Sequence, residues 1–161
     1  MFQTIALAFS LAISAPAAQD AHARRSLEMI VVSKYTFEVT IETIKRAATA
    51  EKYGVQGVHK MSEILTEKGF PRDNLVVIEV CNPKHADDAL NNDVLAGLMM
   101  PCPIMVWEEG GKVLVATFDT RAMAKMYRGD SMAAVGESVY RSLRKILASV
   151  EKAETHQALP N

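Results

Sequence analysis

The sequence predicts an α+β fold, a compact two-layer sandwich in which a mostly antiparallel sheet carries its helices on one face. Strand-like and helix-like stretches alternate along the chain in the order β-α-β-α-β-α-β-β-α. A tight hairpin with two apolar runs around Gly110-Gly111 forms the last pair of strands, and the other connections are short. Such connections favour antiparallel pairing, because neighbouring parallel strands need a long crossover.

The strands are indicated by runs of apolar and β-branched residues. The first run covers residues 26–35, and a weaker second run at 55–61 is interrupted by Gly57. Residues 74–80 are nearly all apolar, which is typical of a central strand. The predicted hairpin then occupies residues 102–118.

The helices are indicated by apolar residues at helical spacing and by residues that favour helix ends. One helix is expected after Thr36, and a shorter one after Ser62. Asn82-Pro83 then supplies a preferred N-cap and first helical residue. The long C-terminal helix carries one apolar stripe: Met132, Val135, Val139, Leu143, Ile146 and Val150. We expect this stripe to pack across the sheet.

Length and composition indicate a single domain. The chain has 161 residues, of which 49% are apolar and 23% charged, and its net charge is -1. We assign residues 26–153 to the domain and residues 154–161 to a polar tail. Nucleic acid is not an expected partner, because lysine and arginine are nowhere clustered and a binder of phosphates needs such clusters.

The first 23 residues differ in composition from the rest. Residues 5–19 carry no charge, and Ala15-Pro16-Ala17 and Ala21-His22-Ala23 both fit a small-x-small cleavage site. This segment resembles a secretory signal that is too short to span a bilayer, although no lysine or arginine precedes it. We expect export to the periplasm and no membrane span after cleavage. The alternatives are a disordered N-terminus and a cytoplasmic protein.

Both cysteines of the chain lie beside prolines, at the ends of apolar runs. Cys81 ends the predicted central strand and directly precedes Asn82-Pro83, whereas Cys102 lies between Pro101 and Pro103. If the two strands are antiparallel neighbours, the end of one and the start of the next lie at the same edge of the sheet. The two sulfurs are therefore expected to lie close together.

The helix start beside Cys81 suggests how this thiol becomes reactive. Free N–H groups and the positive end of the helix dipole should lower the pKa of Cys81 and favour its thiolate. Cys102 has no helix start beside it, and its apolar, proline-flanked setting should raise its pKa. Cys81 is therefore the candidate catalytic residue, and Cys102 is its redox partner or a second metal ligand.

Soft side chains are concentrated around these cysteines. Met99 and Met100 supply thioethers, and His59 lies on a neighbouring predicted strand; Met105 and His85 are of the same ligand types. Thiolate, thioether and imidazole together form the ligand set of copper(I) and, less often, of haem iron. The same residues are equally consistent with no cofactor, because methionine fills cores and a lone cysteine is often a buried hydrophobe.

Three stretches of the chain resemble the domain of unknown function 302 (DUF302) family. They read EVCNPKHA, MMPCPIMVWEEGGKVLV and GVHKMSEILTEKGF, and the resemblance runs from about residue 28 to 128. It implies a compact α+β domain that is often dimeric and whose function is unassigned. The positions that carry over as structural motif are Asn82, Pro83, Ala86, Pro101 and Gly111. Cys81 and Cys102 mark a cysteine-containing variant and carry over only as a candidate site, which suggests a link to bacterial sulfur or metal redox metabolism.

Three functions follow from these observations. The leading hypothesis is a small redox or soft-metal binding module built on Cys81 and Cys102, with copper or haem as the cofactor and no catalytic turnover. It would work as a homodimer or with a redox partner protein.

The rival is a structural or interaction domain that dimerises through its sheet edge or C-terminal helix, with both cysteines buried. The third is a thiol enzyme in which Cys81 attacks sulfane sulfur. None of the motifs CxxC, CxxCH, HExxH, GxSxG or the Walker loop occurs in the chain.

Overall fold

The computed structural model describes residues 27–152, whose strands form a single antiparallel sheet. The strands are β1 (Glu28–Val32), β2 (Gly54–His59), β3 (Leu75–Cys81), β4 (Cys102–Glu109) and β5 (Lys112–Phe118). Their order across the sheet is β1-β5-β4-β3-β2, and every neighbouring pair is antiparallel. The predicted α+β class and the mainly antiparallel sheet are confirmed. The predicted signal segment and the polar tail lie outside the described residues.

The helices are α1 (Phe37–Ala50), α2 (Met61–Glu67), α3 (Pro83–Asn92), α4 (Thr120–Ala124) and α5 (Met132–Ala148). A 3-10 helix (Val94–Met99) directly follows α3. This 3-10 helix and α4 were not expected from the sequence. Each begins after an aspartate whose carboxylate accepts a backbone N–H: Asp93 from Leu95 at 3.0 Å, and Asp119 from Arg121 at 2.9 Å. No helix among residues 27–152 is long and apolar enough to cross a membrane.

One face of the sheet packs against α1 and α5 and forms the core. Alternate residues of the central strands are fully buried there, as at Ile78 and Val80 of β3 and Ile104 of β4. From the C-terminal helix, Leu143 and Ile146 have no exposed surface, and Val150 just beyond it is equally buried. The predicted packing across the sheet is confirmed for the stripe from Val135 to Val150, whereas Met132 packs in a separate cluster with Ala89, Ala96 and Ala124.

The turn between β4 and β5 shows why the hairpin needs two glycines. Gly110 has a φ of 57° and Gly111 a φ of 72°, which is the left-handed region that glycine enters without steric cost. A Cβ at Gly111 would meet no atom within 4 Å, so the constraint on this position comes from the backbone alone.

Truncating the buried stripe should destabilise the fold. Leu143→Ala and Ile146→Ala should each lower the free energy of unfolding by about 2–5 kcal/mol, because a cavity replaces a fully buried side chain. Leu98, which is 81% exposed, is the matched control, and Leu98→Ala should change the free energy by less than about 0.5 kcal/mol. Urea titrations followed by circular dichroism measure both effects. Equal midpoints for the core and control variants would contradict the packing described here.

Candidate functional site

The pairing of β3 with β4 brings both cysteines to the same end of the sheet. Cys102 lies directly opposite Val80, so Cys81 is one residue further along the neighbouring strand. On its other side Cys81 pairs with Gly54 of β2. Both cysteines are free thiols, and both are half-buried.

The two cysteines line a common cavity of about 90 Å³. The cavity lies between this end of the sheet and the elements α3, the 3-10 helix, α4 and α5. Met99 and Met100, both predicted from the sequence, also line it, and Met123 and Met132 add two further thioethers. None of the lining residues is a lysine, arginine, aspartate or glutamate. The cavity is therefore apolar, without a charged wall.

The Asn82-Pro83 turn directs the chain away from Cys81 and into α3. The Asn82 Oδ1 atom accepts the backbone N–H of Lys84 at 3.0 Å and that of His85 at 3.2 Å. Pro83 occupies the first helical position, where its missing N–H costs nothing. The free donors at the helix start are thus satisfied by the N-cap side chain, and none of the hydrogen bonds found in the described part of the chain goes to the Cys81 sulfur.

This geometry changes the expected electrostatics of the thiols. The prediction that the pKa of Cys81 is lowered is wrong. Burial raises the pKa of this thiol, and the side chain of Asn82 accepts the nearby N–H groups of the helix start. The expected rise in the pKa of Cys102 is confirmed. Burial raises the pKa of Cys102 to about 11, and the neighbouring Cys81 charge contributes to the rise. Both groups are therefore protonated at neutral pH in the unliganded protein.

His85, which the sequence offered as a possible imidazole ligand, forms with two unforeseen hydrogen-bond partners the polar part of the cavity wall. The His85 Nδ1 atom lies 2.9 Å from the hydroxyl of Tyr53, and its Nε2 atom lies 3.1 Å from the hydroxyl of Ser138. Tyr53 is 2% exposed, and burial raises its pKa well above the usual range. Burial also lowers the pKa of His85, although nearby Asp88 opposes this. His85 is thus neutral at neutral pH, with both ring nitrogens occupied.

The structure does not bring His59 to the cavity. His59 pairs with Val77 in the sheet, so its side chain lies on the face opposite the core, and its Nε2 atom is 3.1 Å from Glu79 Oε2. Its side chain is 47% exposed. The sequence placed His59 on a neighbouring strand correctly but could not define its face, because β2 is irregular between Val55 and Gly57.

The structural motif positions lie around the same cavity or in the hairpin. Ala86 lines the cavity from α3, one turn after Asn82. Pro101 follows a cis peptide bond with Met100 and directly precedes Cys102. In residues 27–152 no cluster of three or more histidine, cysteine, aspartate or glutamate side chains is close enough to share a metal ion.

These features define a small α+β domain with a thiol-lined apolar cavity at the end of its sheet. The chain belongs to the DUF302 family, a domain of unknown function whose family model matches residues 29–150. The predicted family is thereby confirmed. The fold is similar to the crystal structure of an uncharacterized conserved DUF302 protein from Bacillus stearothermophilus. That comparison has a TM-score of 0.74 and 25% identity and covers 78% of this chain and 98% of the other. None of the curated proteins compared with the chain matches it.

The buried Cys102 thiol should make the fold sensitive to alkali. An unfolded cysteine ionises near pH 8.5, whereas folded Cys102 holds its proton until about pH 11. The stability that this group contributes is therefore complete below about pH 8.5, and about 3 kcal/mol of it is lost as the pH rises to 11, at 1.36 kcal/mol per pKa unit.

Urea unfolding at a series of pH values, compared between the wild-type protein and Cys102→Ala, measures this contribution. The difference in unfolding free energy between the two proteins should shrink with rising pH, because only the wild type loses the Cys102 component. A constant difference from pH 7 to 11 would show that the Cys102 thiol is not perturbed.

Proposed function

We propose that this domain is a soft-metal binding module that holds monovalent copper at Cys81 and Cys102. The observation that supports this proposal is the position of both thiols in the wall of one apolar cavity, beside the thioethers of Met99 and Met100. Thiolate and thioether sulfur are the ligands that copper(I) prefers over harder metal ions. Copper would be the bound cofactor or cargo, without catalytic turnover.

The thiols in the cavity wall favour a cation over an anion, because the only charge that they can acquire is negative. No lysine or arginine lines it, so an anionic ligand such as sulfite or thiosulfate would meet no compensating charge. Two thiolates in this low-dielectric space repel each other, which contributes to the raised pKa of Cys102. A bound soft cation removes this repulsion and displaces the thiol protons. The unliganded cavity is thus neutral, and it stays neutral if one copper(I) ion binds with the loss of one thiol proton.

A bridging metal also fits the strand geometry better than a disulfide. Cys81 and Cys102 are offset by one residue and so are not a directly opposed cross-strand pair, although both line the cavity. A disulfide requires an S–S bond of about 2.05 Å, whereas metal–sulfur bonds of about 2.3 Å each allow a wider separation of the sulfurs. A haem fits less well, because about 90 Å³ is well below the roughly 300–1,000 Å³ of ordinary cofactor pockets.

A thiol enzyme that attacks sulfane sulfur is the weaker alternative. Such an enzyme needs a thiolate at neutral pH, and burial raises the pKa of Cys81 instead of lowering it. The nearby imidazole of His85 is occupied at both nitrogens by Tyr53 and Ser138, so it is not free to accept a thiol proton without breaking one of these bonds.

Copper(I) competition against a chromophoric chelator, under anaerobic and reducing conditions, tests the proposal. We expect the wild-type protein to take up one copper ion and to release protons on binding. Cys81→Ser and Cys102→Ser should each weaken binding at least about tenfold, because each removes a thiolate ligand. Met99→Leu and Met100→Leu should have smaller effects.

Two variants on the opposite face of the sheet serve as matched controls. Met105→Leu removes a thioether and His59→Ala removes an imidazole, and neither residue lines the cavity. Both variants should bind copper as the wild type does. The proposal fails if the wild type takes no copper from the chelator, or if the two cysteine variants retain full affinity. A wild type that oxidises to an internal disulfide without binding copper would favour a redox pair instead.

A further inference from the structure

The imidazole of His85 is held at both ring nitrogens, one of them on the side of the cavity. The Nδ1 atom lies 2.9 Å from the hydroxyl of Tyr53, which also lines the cavity, whereas the Nε2 atom lies 3.1 Å from the hydroxyl of Ser138, which does not. A neutral imidazole carries one N–H and one lone pair, so Nδ1 either accepts a hydrogen bond from Tyr53 or donates one to it. In both cases Nδ1 cannot bind a metal ion until its bond to Tyr53 breaks.

Tyr53 is fixed in this position by the backbone and by burial. Its N–H donates to the carbonyl oxygen of Ala48 in the last turn of α1 at 2.8 Å, and the next residue, Gly54, pairs with Cys81. Tyr53 is 2% exposed, and its ring meets that of His85 edge-on, with 5.8 Å between the ring centroids. The hydroxyl is therefore held beside Nδ1 by a packed ring and not by a mobile surface side chain.

The availability of His85 decides which metal ions the cavity can hold. Zinc and similar divalent ions take three or four ligands from cysteine, histidine, aspartate and glutamate, and two cysteines with one histidine are such a set. While Tyr53 holds His85, the described wall of the cavity offers only two of these ligands, Cys81 and Cys102. Copper(I) differs because it also accepts the thioethers of methionine.

We propose that Tyr53 sets the metal selectivity of the cavity. Its hydroxyl keeps His85 out of the coordination shell, so that the site has sulfur ligands only and refuses zinc-like divalent ions. A site excludes the wrong partner by withholding a contact which that partner requires. Ser138 is not part of the cavity lining, so Tyr53 alone guards the nitrogen that a metal ion in the cavity could reach. This proposal rests on the copper(I) site proposed above and adds the residue that makes that site selective.

Cobalt(II), which takes the same ligands as zinc and absorbs visible light when thiolates bind it, tests the proposal on the full-length protein. Tyr53→Phe keeps the buried ring and removes only the hydroxyl. This variant should bind cobalt(II) at least about tenfold more tightly than the wild type, because the freed imidazole adds a third ligand. Combining Tyr53→Phe with His85→Phe should abolish the gain.

Two variants that each remove a single hydroxyl are the matched controls. Tyr140→Phe changes a tyrosine outside the cavity wall, and Ser138→Ala releases only the Nε2 atom of His85. Both should bind cobalt(II) as weakly as the wild type, with unchanged far-ultraviolet circular dichroism. His85→Phe by itself should bind copper(I) as tightly as the wild type, because His85 is not a ligand of the sulfur site.

The role of Tyr53 is refuted if the folded Tyr53→Phe protein binds cobalt(II) no more tightly than the wild type, or if a control variant shows the same gain. A loss of copper(I) affinity of about tenfold in His85→Phe would also refute it, because His85 would then be a ligand in the wild type. The cobalt(II) titrations need no copper. A wild type that takes up no copper(I) therefore overturns the metal-binding function proposed above, while the cobalt(II) comparison still decides the role of Tyr53.

Discussion

The register between β3 and β4 is the constraint on which the rest of the molecule depends. Val80 lies opposite Cys102 and Ile78 opposite Ile104, and this places the fully buried side chains of both strands on the same face. A slip of one residue would turn every one of these side chains to the other face. The same pairing holds the end of β3 beside the start of β4, so the register that builds the core also brings the two thiols to one cavity.

The cavity combines an apolar wall with polar groups that are already satisfied. His85 is fixed at both nitrogens, and the N-cap Asn82 takes the donors at the start of α3. A buried polar group with its partners in place costs little, whereas a buried charge without one costs several kcal/mol. The thiols are the groups in this wall whose charge is uncompensated on ionisation. This electrostatic imbalance is why we assign them a soft cation.

The two faces of the sheet meet different surroundings. Helices α1 and α5 cover one face and bury it almost completely, while the other face carries aliphatic and aromatic side chains within a charged rim. On this second face Leu114 is buried, and its neighbours Met105 and Trp107 are partly buried. Pro103 and Phe118 line the cavity from β4 and β5, so the sheet that carries the core also forms one wall of the site.

The sequence by itself determined the local structure. Periodicity and capping residues predicted the long helices, the Asn82-Pro83 helix start, the hairpin at Gly110-Gly111 and the antiparallel sheet, because each of these depends on neighbours along the chain. It also predicted that Cys81, Cys102, Met99 and Met100 would meet, since antiparallel neighbours share one end of a sheet.

Only the tertiary structure decided the environment of these residues. Whether the pKa of Cys81 is lowered depends on its burial and on which group accepts the N–H donors at the helix start. That group is the side chain of Asn82. Tyr53 and Ser138 are 32 and 53 residues from His85 along the chain, so no local pattern could indicate their hydrogen bonds. The face on which His59 lies depends on an irregularity in β2. Burial, hydrogen bonding and the face of the sheet on which a side chain lies are properties of the packed chain, because they arise between residues that are remote in sequence.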